Sequence, residues 1–311
     1  MSGTGPAAAR EPGAAVAVGV FDGLHLGHLE ILLRARDLKP PGGRAVVLSF
    51  DPHPDLVLAK SFRAIAPLTP LPEKRERVAQ LGLDALDVLP FTRELAALQP
   101  DHFVDEYLIR RQRLRVLVVG GNFALGKGRA GDVRWLTAYG HDHGFEVVAM
   151  PLLELDGAPV TSTRIRGLLA EGRVAESARL LGRRYALAGR VVGGHAIGRT
   201  LGFPTANLQL HDEKFVPADG IYAVEVTLSG RAAKVAGAMS IGMRPTFGGT
   251  ERTLEVFLLD WSGDLAGASL EVEFVAWIRG EVKFASAAEL IEAMKQDVER
   301  VREVLAAPRA T

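Results

Sequence analysis

From Ala14 to about Met150 the chain alternates uninterrupted apolar runs with stretches of helical periodicity. The runs "AAVAVGVF", "RAVVLSF", "DALDVLPF", "LRVLVVG" and "FEVVAM" are rich in Val and Leu and lack polar alternation, as strands buried on both faces do. Separated by helices, one of them expected from about Leu26, they predict an α/β doubly wound parallel sheet. Ligands in such sheets collect at the carboxyl ends of strands.

The pattern changes after "GLLAEGRVAESARLLGR", which reads as a pair of short helices. From Tyr185 to about Arg279 the segments "YALAGRVV", "GIYAVEVTL", "KVAGAMSI", "RTLEVFLLD" and "SLEVEFVAWI", separated by Gly and Pro loops, predict an antiparallel β-barrel. An amphipathic helix closes the chain from about Ser286 to Leu305, with Ser286 as N-cap and Glu289 completing a capping box. The expected domains are therefore 1–182 and 183–311.

With 311 residues, 48% of them hydrophobic, the chain can fill two ordinary cores. Lys plus Arg and Asp plus Glu both number 37, so no long-range attraction to nucleic acid or an anionic membrane is expected. The absence of cysteine excludes a disulfide framework, a cysteine zinc site and a thiol nucleophile together, and suits a reducing cytoplasm. No basic segment precedes an apolar run at the start, and no run reaches the roughly 18 residues of a membrane span, so a soluble, unprocessed cytoplasmic protein is expected.

The stretch "GVFDGLHLGH" places chemistry at the end of the first buried strand. After Gly19 and Phe21, the pair Asp22-Gly23 turns the chain, and His28 falls in the first turn of a helix, where unpaired N–H groups and the helix dipole favour an anion. Gly27 allows close approach, and His25 and His28 can donate to phosphate oxygens. Metal ligation by Asp22, His25 and His28, or histidines that only cap the helix, are the alternatives; phosphate fits the Gly-rich helix terminus best.

Further along, "GNFALGKG" is a near miss for a P-loop: Gly121 to Lys127 fits the spacing, but Gly128 stands where Ser or Thr should hold magnesium. "STRIR" brings hydroxyls and guanidiniums suited to a triphosphate to a loop-to-helix junction, with Ser162 or Thr163 expected as cap. Asp51 and His53 in "FDPHP" fit either a ligand contact or plain turn chemistry.

The second candidate site is "GRVVGGHAIGRTLGFPTANL". Its glycines, Gly193 and Gly198 among them, let backbone amides approach phosphates, with Arg199 close by. Thr205 and Asn207 share a face if extended, and their oxygens can hold a magnesium ion carrying ATP phosphates. Glu255 is the candidate base. It shares a face with Thr253 and Phe257, opposite Leu254, Val256 and Leu258, and so points either into a barrel site or to solvent.

In this order "GVFDGLHLGH", "SFDPHP", "PLTPLPEK", "VLPFT", "VVGGNFALGKGRAGD" and "TSTRIR" resemble the adenylyltransferase module of prokaryotic bifunctional riboflavin kinase/FAD synthetase. "GRTLGFPTAN", "SIGMRPTF", "RTLEVFLLD" and "WIRGEVKF" resemble its riboflavin kinase module, and the likeness runs from about Ala14 to about Val304. The resemblance implies a Rossmann-like nucleotidyltransferase domain and a kinase barrel with a C-terminal helix. It implies phosphorylation of riboflavin to FMN with Mg2+ and ATP, then adenylylation of FMN to FAD. It assigns Glu255 as the catalytic group of the kinase, Ser162, Thr163 and Arg166 to ATP, Asn122 and Phe123 to the flavin side of the first module, and Arg279 near nucleotide and flavin in the second. A homo-oligomer is left open. The sequence departs from the family at Leu125, Ser240, Phe257 and Ala266, where an aromatic, Asn, His and Tyr respectively are frequent.

Overall fold

The computed structural model describes residues 12–58, 66–193, 203–231, 233–246 and 249–307. They fall into two compact units, residues 1–160 and 161–311.

The first unit is built on a five-stranded parallel sheet of β1 (Ala14–Val18), β2 (Arg44–Asp51), β3 (Ala85–Pro90), β4 (Leu114–Gly120) and β5 (Glu146–Met150), in the order β3-β2-β1-β4-β5. Every residue of β1 is buried. Val16 and Val18 pack with Phe103, Leu108 and Leu136 on one face, while Ala17 packs with Leu32, Ala35 and Val78 on the other. Alternate residues thus feed separate apolar layers, so the strands carry no polar alternation. Helix α1 (Leu26–Asp37) and α2 (Leu71–Gln80) supply the second layer, and α3 (Val133–His143) the first. Because the chain leaves β1 toward β2 and later returns to its other side at β4, the strand order reverses between β1 and β4. The turns after these strands face that crevice.

The second unit begins with α4 (Ser162–Ala170) and α5 (Val174–Leu181). A closed antiparallel barrel follows: β6 (Ala186–Val192), β7 (Thr205–Leu210), β8 (Gly220–Leu228), β9 (Val235–Thr246), β10 (Gly249–Leu258) and β11 (Ser269–Arg279), in the order β6-β7-β10-β9-β8-β11. Tyr222, Val224, Met239, Val256, Val272 and Phe274 are fully buried barrel residues. Strand β7 is absent from the apolar reading because Thr, Asn and Gln make up half of it. Helix α6 (Ala287–Ala306) lays Val298, Val301 and Leu305 over Ala223, Ala238 and Phe257 on the barrel's outer face. Half of the expected capping box forms, Ser286 accepting from the Glu289 N–H at 3.3 Å, while the Glu289 carboxylate accepts from the N–H of Ala285, one residue before the cap, at 3.1 Å.

The sequence texture changes at 183, yet the compact units part between Val160 and Thr161. Within the second unit the Ala218 N–H donates to the Leu169 carbonyl at 2.9 Å. Gly172, at φ +76°, leaves no room for a Cβ against the Trp277 ring. Packing, unlike texture, therefore groups the helix pair with the barrel.

Candidate active sites

In the first unit β1 gives way to a tight turn in which Phe21 (φ +51°), Gly23 (φ +85°) and Leu24 (φ +42°) are all left-handed. For Phe21 and Leu24 this conformation costs about 1 kcal/mol or more each. Gly19 has no Cβ to meet the Phe21 ring, which folds back over it. His25 is the N-cap of α1: its Nδ1 accepts from the His28 N–H at 3.3 Å, so that nitrogen carries no proton and Nε2 is left to donate. The His25 and His28 rings stack at 3.6 Å, and Phe21 meets His28 edge-on at 5.3 Å. Burial above all, then the electrostatic influence of His25 and of Lys74, holds the His28 imidazole well below its ordinary 6.5. Its Nδ1 is buried without a hydrogen-bond partner among the described residues. No acidic side chain stands in the first turn of α1 to compete with an anion.

Asp22 is 3% exposed and accepts from the Leu68 N–H at 2.9 Å and the Thr69 N–H at 3.0 Å. That carboxylate is thus given to backbone donors and the His25 Nδ1 to the cap. Among the described residues no cluster of three His, Asp or Glu side chains is arranged for a metal. A Cβ at Gly27 would meet only ordinary contacts, the His25 ring at 3.5 Å and Leu153 at 3.6 Å, so the chain's own packing does not require the glycine.

Sequence reasoning missed Lys74. It lies in "PLTPLPEK", is 6% exposed, and donates from Nζ to the Val20 carbonyl at 2.8 Å and to Ser49 Oγ at 3.3 Å. Burial lowers its affinity for a proton, against the opposing charges of Asp22 and Asp51. One lysine in a charged helix such as "LPEKRERVAQ" looks like all the others, so no spacing signal marks it.

Beyond β4, Asn122 is exposed, and its carbonyl accepts from Arg129 at 2.9 Å. Phe123 packs against the sheet core, and Leu125 is itself a core residue, 8% exposed. The residues after Gly121 form a short hairpin, Ala124–Leu125 with Gly131–Asp132, with one 3-10 turn at Lys127–Arg129 between them, and the next α-helix starts only at Val133, so this is no P-loop. Asp51 ends β2, and His53 Nδ1 accepts from the Asp55 N–H at 3.1 Å as a turn residue would.

In the second unit the cap of α4 is Thr161, whose hydroxyl accepts from the Arg164 N–H at 3.1 Å, rather than Ser162 or Thr163. An extended Thr161, with φ −137° and ψ 154°, takes the capping role and leaves Ser162, Thr163 and Arg166 as helical residues. On the barrel, Asn207 and Glu255 are direct register partners, as are Thr205 and Phe257. The Thr205 hydroxyl donates to Glu255 Oε2 at 3.0 Å. Leu254, Val256 and Leu258 are buried while Thr253, Glu255 and Phe257 are half-exposed, so Glu255 stands on the barrel's outer face. Ser240 pairs with Glu255 from the other neighbouring strand. Phe257 meets Phe203 edge-on at 5.5 Å and packs beneath α6, apolar contacts that a histidine would make less well.

Thr205 and Asn207 open onto a cleft of about 590 Å³, with Val191 to Gly193 on one side and Trp261 to Ala266 on the other. That volume suits a small-molecule site. Thr205, Asn207 and Glu255 form a hard oxygen donor set of the kind a magnesium ion prefers. Gly198 and Arg199 lie outside the described residues. Arg279 is committed elsewhere: it grips Asp297 of α6 through Nε at 2.8 Å and Nη2 at 2.7 Å.

Comparison with known proteins also divides the chain in two. The FAD synthetase family model matches residues 7–164 and the riboflavin kinase family model residues 181–305. The chain is 35% identical to a bifunctional riboflavin kinase/FMN adenylyltransferase of Listeria monocytogenes, over 92% of this chain and 91% of that one. It is 37% identical to the protein of that description in Escherichia coli K12, over 95% and 94%. With that of Pseudomonas fluorescens the identity is 38%, over 96% and 94%. A crystal structure from Streptococcus pneumoniae, described as a macrolide-efflux protein, superposes with a TM-score of 0.84 at 32% identity over 94% of each chain. Among the described residues of the present chain no helix is long and apolar enough to cross a membrane.

Proposed function

The chain belongs to the bifunctional riboflavin kinase/FMN adenylyltransferase family, and from that membership we propose how its residues divide the chemistry. It is an enzyme of flavin cofactor biosynthesis with a riboflavin kinase domain and an FAD synthetase domain. We assign 1–182 to adenylyl transfer and 183–311 to the kinase.

In the kinase the 5′-hydroxyl of riboflavin attacks the γ-phosphorus of ATP, the new O–P bond forming as the bond to ADP breaks. Glu255 takes the hydroxyl proton. The Thr205 hydroxyl, donating to Glu255 at 3.0 Å, turns the carboxylate while its own lone pairs remain for a cation. Thr205 and Asn207 would hold Mg2+, which when bound neutralises charge on the phosphate oxygens. Gly193, Gly198 and Arg199 line the phosphates, and Arg279 orders the neighbouring loop for nucleotide and flavin.

In the first module a phosphate oxygen of FMN attacks the α-phosphorus of a second ATP in line, and pyrophosphate leaves. His28, the Nε2 of His25 and the N-terminus of α1 hold the phosphate oxygens, with Gly27 open to close approach. Gly19, Phe21 and Asp22 shape the turn that presents them. Ser162, Thr163 and Arg166 contact ATP phosphates, and Asn122, Phe123, Asp51 and His53 face the flavin. No covalent enzyme intermediate is required, since a phosphate is already a competent nucleophile.

The zero net charge supports small-molecule partners over nucleic acid or membrane, and the lack of cysteine supports the cytoplasm. The observation that carries the reading is the Thr205, Asn207 and Glu255 oxygen set on one barrel face, together with, separately in the first unit, a His25 and His28 pair at a helix N-terminus. Chromatography of flavins after incubation with riboflavin, ATP and magnesium tests it: FMN and then FAD are expected, and the absence of either product removes the corresponding half.

A further inference from the structure

Glu281 stands just beyond β11, and its carboxylate lies over β9: a Cβ on Gly242 would collide with it. A glycine inside a strand marks a place where another group approaches closely, and here that group is the carboxylate. In the unbroken register of β9 with β10, Gly242 pairs with Thr253 and Ser240 with Glu255. Residues two apart on a strand share a face. The Glu281 carboxylate therefore occupies the outer face that carries Glu255, one same-face pair along the strand, a spacing of about 7 Å. The segment that bears it is pinned. Arg279 grips Asp297 through Nε at 2.8 Å and Nη2 at 2.7 Å, its Nη1 donates to the Gly280 carbonyl at 3.0 Å, and the Trp277 indole N–H donates to the Arg279 carbonyl. Yet the carboxylate so placed accepts no hydrogen bond and makes no ion pair among the described residues. The Thr253 hydroxyl, in register with Gly242, turns to the Gly242 carbonyl at 3.5 Å instead.

We propose that Glu281 binds the ribityl chain of riboflavin, accepting hydrogen bonds from its inner hydroxyls while Glu255 receives the proton of the terminal one. An ionised carboxylate is an acceptor only, so it needs donors, and the polyol is the part of the substrates richest in them. Phosphate oxygens would be repelled by it. The cation and nucleotide have their own place: Thr205 and Asn207 lie on β7, on one flank of β10, whereas Gly242 lies on β9, on the other. The cleft beside Thr205 and Asn207 is lined by neither Gly242 nor Glu281. The flavin alcohol thus reaches Glu255 from the β9 flank and the phosphate from the β7 flank, as an in-line transfer between attacking and leaving oxygens requires. One same-face spacing matches the reach of a five-carbon chain whose 5′-hydroxyl meets Glu255. The proposal rests on the assignment of Glu255 to riboflavin phosphorylation.

The test compares riboflavin with the same isoalloxazine carrying a 5-hydroxypentyl chain, which keeps the terminal hydroxyl and lacks the inner ones. Full-length wild type, Glu281→Ala and Glu281→Gln are assayed for phosphorylation of each flavin by Mg-ATP, and for FAD formation from FMN on the same samples. Glu281→Ala is expected to raise the KM for riboflavin about tenfold or more, the range of hydrogen bonds to a charged group. The KM for ATP and FAD formation should stay unchanged. With the hydroxypentyl flavin, wild type and Glu281→Ala should perform alike, because the partner hydroxyls are already gone. Glu281→Gln, which keeps one acceptor oxygen without the charge, should fall between. An equal penalty on both flavins, an unchanged KM for riboflavin, or a penalty carried by the KM for ATP overturns the proposal. If wild-type protein phosphorylates neither flavin, the Glu255 assignment fails, while quenching of flavin fluorescence on binding still decides the role of Glu281: equal affinity of wild type and Glu281→Ala for riboflavin removes it.

Discussion

The Thr205 hydroxyl donates to the Glu255 carboxylate at 3.0 Å across neighbouring antiparallel strands, and the direct register partner of Glu255 is Asn207. A carboxylate that accepts this bond is held in one orientation, and the residue able to carry a cation is fastened to the one able to take a proton.

Glu255→Gln keeps the shape of that contact but removes the base. Riboflavin phosphorylation is expected to fall by about 10²-fold or more in kcat, the range of a general base, while conversion of FMN to FAD is retained. Separate assays of the two reactions on one preparation check this, and loss of both in a folded protein would contradict independent sites.

His28→Ala should do the reverse. Loss of one charge-stabilising donor at reacting phosphates costs about 10²-fold or more in kcat, with kinase turnover intact. His25→Ala is expected to act on both activity and helix, since it also removes the cap of α1, worth about 1 kcal/mol. His25→Asn should restore the cap and not the activity, which thermal melts and FAD assays together would separate.

The His28 imidazole, held well below 6.5 chiefly by burial, makes stability depend on pH with a definite sign. Between 6.5 and its depressed folded value the unfolded chain binds the proton that the folded chain refuses. Stability is therefore full above 6.5 and declines as pH falls through that window. Calorimetric scans across the window should show His28→Gln with a shallower acid decline than wild type.

Asp22→Asn would replace a buried acceptor by an amide that presents one oxygen and two N–H groups to the Leu68 and Thr69 donors. A loss of about 2 kcal/mol or more is expected, read as a lower denaturation midpoint with unchanged slope. An unchanged midpoint would show that Asp22 does not carry the 66–70 segment.

Breaking the Arg279–Asp297 fork by Asp297→Asn should loosen α6 from the barrel by up to about 3 kcal/mol. Hydrogen exchange along residues 287–306 is the measurement. Exchange unchanged from wild type would mean that the apolar contacts of Val298, Val301 and Leu305 hold the helix alone.

Much of this was legible beforehand because it depends on local pattern. Buried strands announce themselves by unbroken apolar runs, the terminal helix by Ser286 and Glu289, and the first strand-to-helix turn by Asp22-Gly23 at a strand end. What escaped was polar or context-bound. Strand β7 reads as a loop because half its residues are polar, and it is a strand only because β6 and β10 offer it ladders on both sides. Thr161 and Ser162 are equally good caps by composition, and the backbone entry angle chose between them. The departure at Leu125 looks like a lost flavin contact in the sequence, whereas the fold uses that side chain as core.

By itself the sequence determined the two architectures, the order of their motifs and the residue types available for phosphate chemistry, because hydrophobic period and turn chemistry act within a few residues. Only the tertiary structure decided which groups share a site. Lys74 comes to bond the Val20 carbonyl fifty-four residues away, and Thr205 to stand beside Glu255 fifty residues away. Such neighbours are set by strand order and register, and the fields they exert fall off over a few ångströms of space, not along the chain.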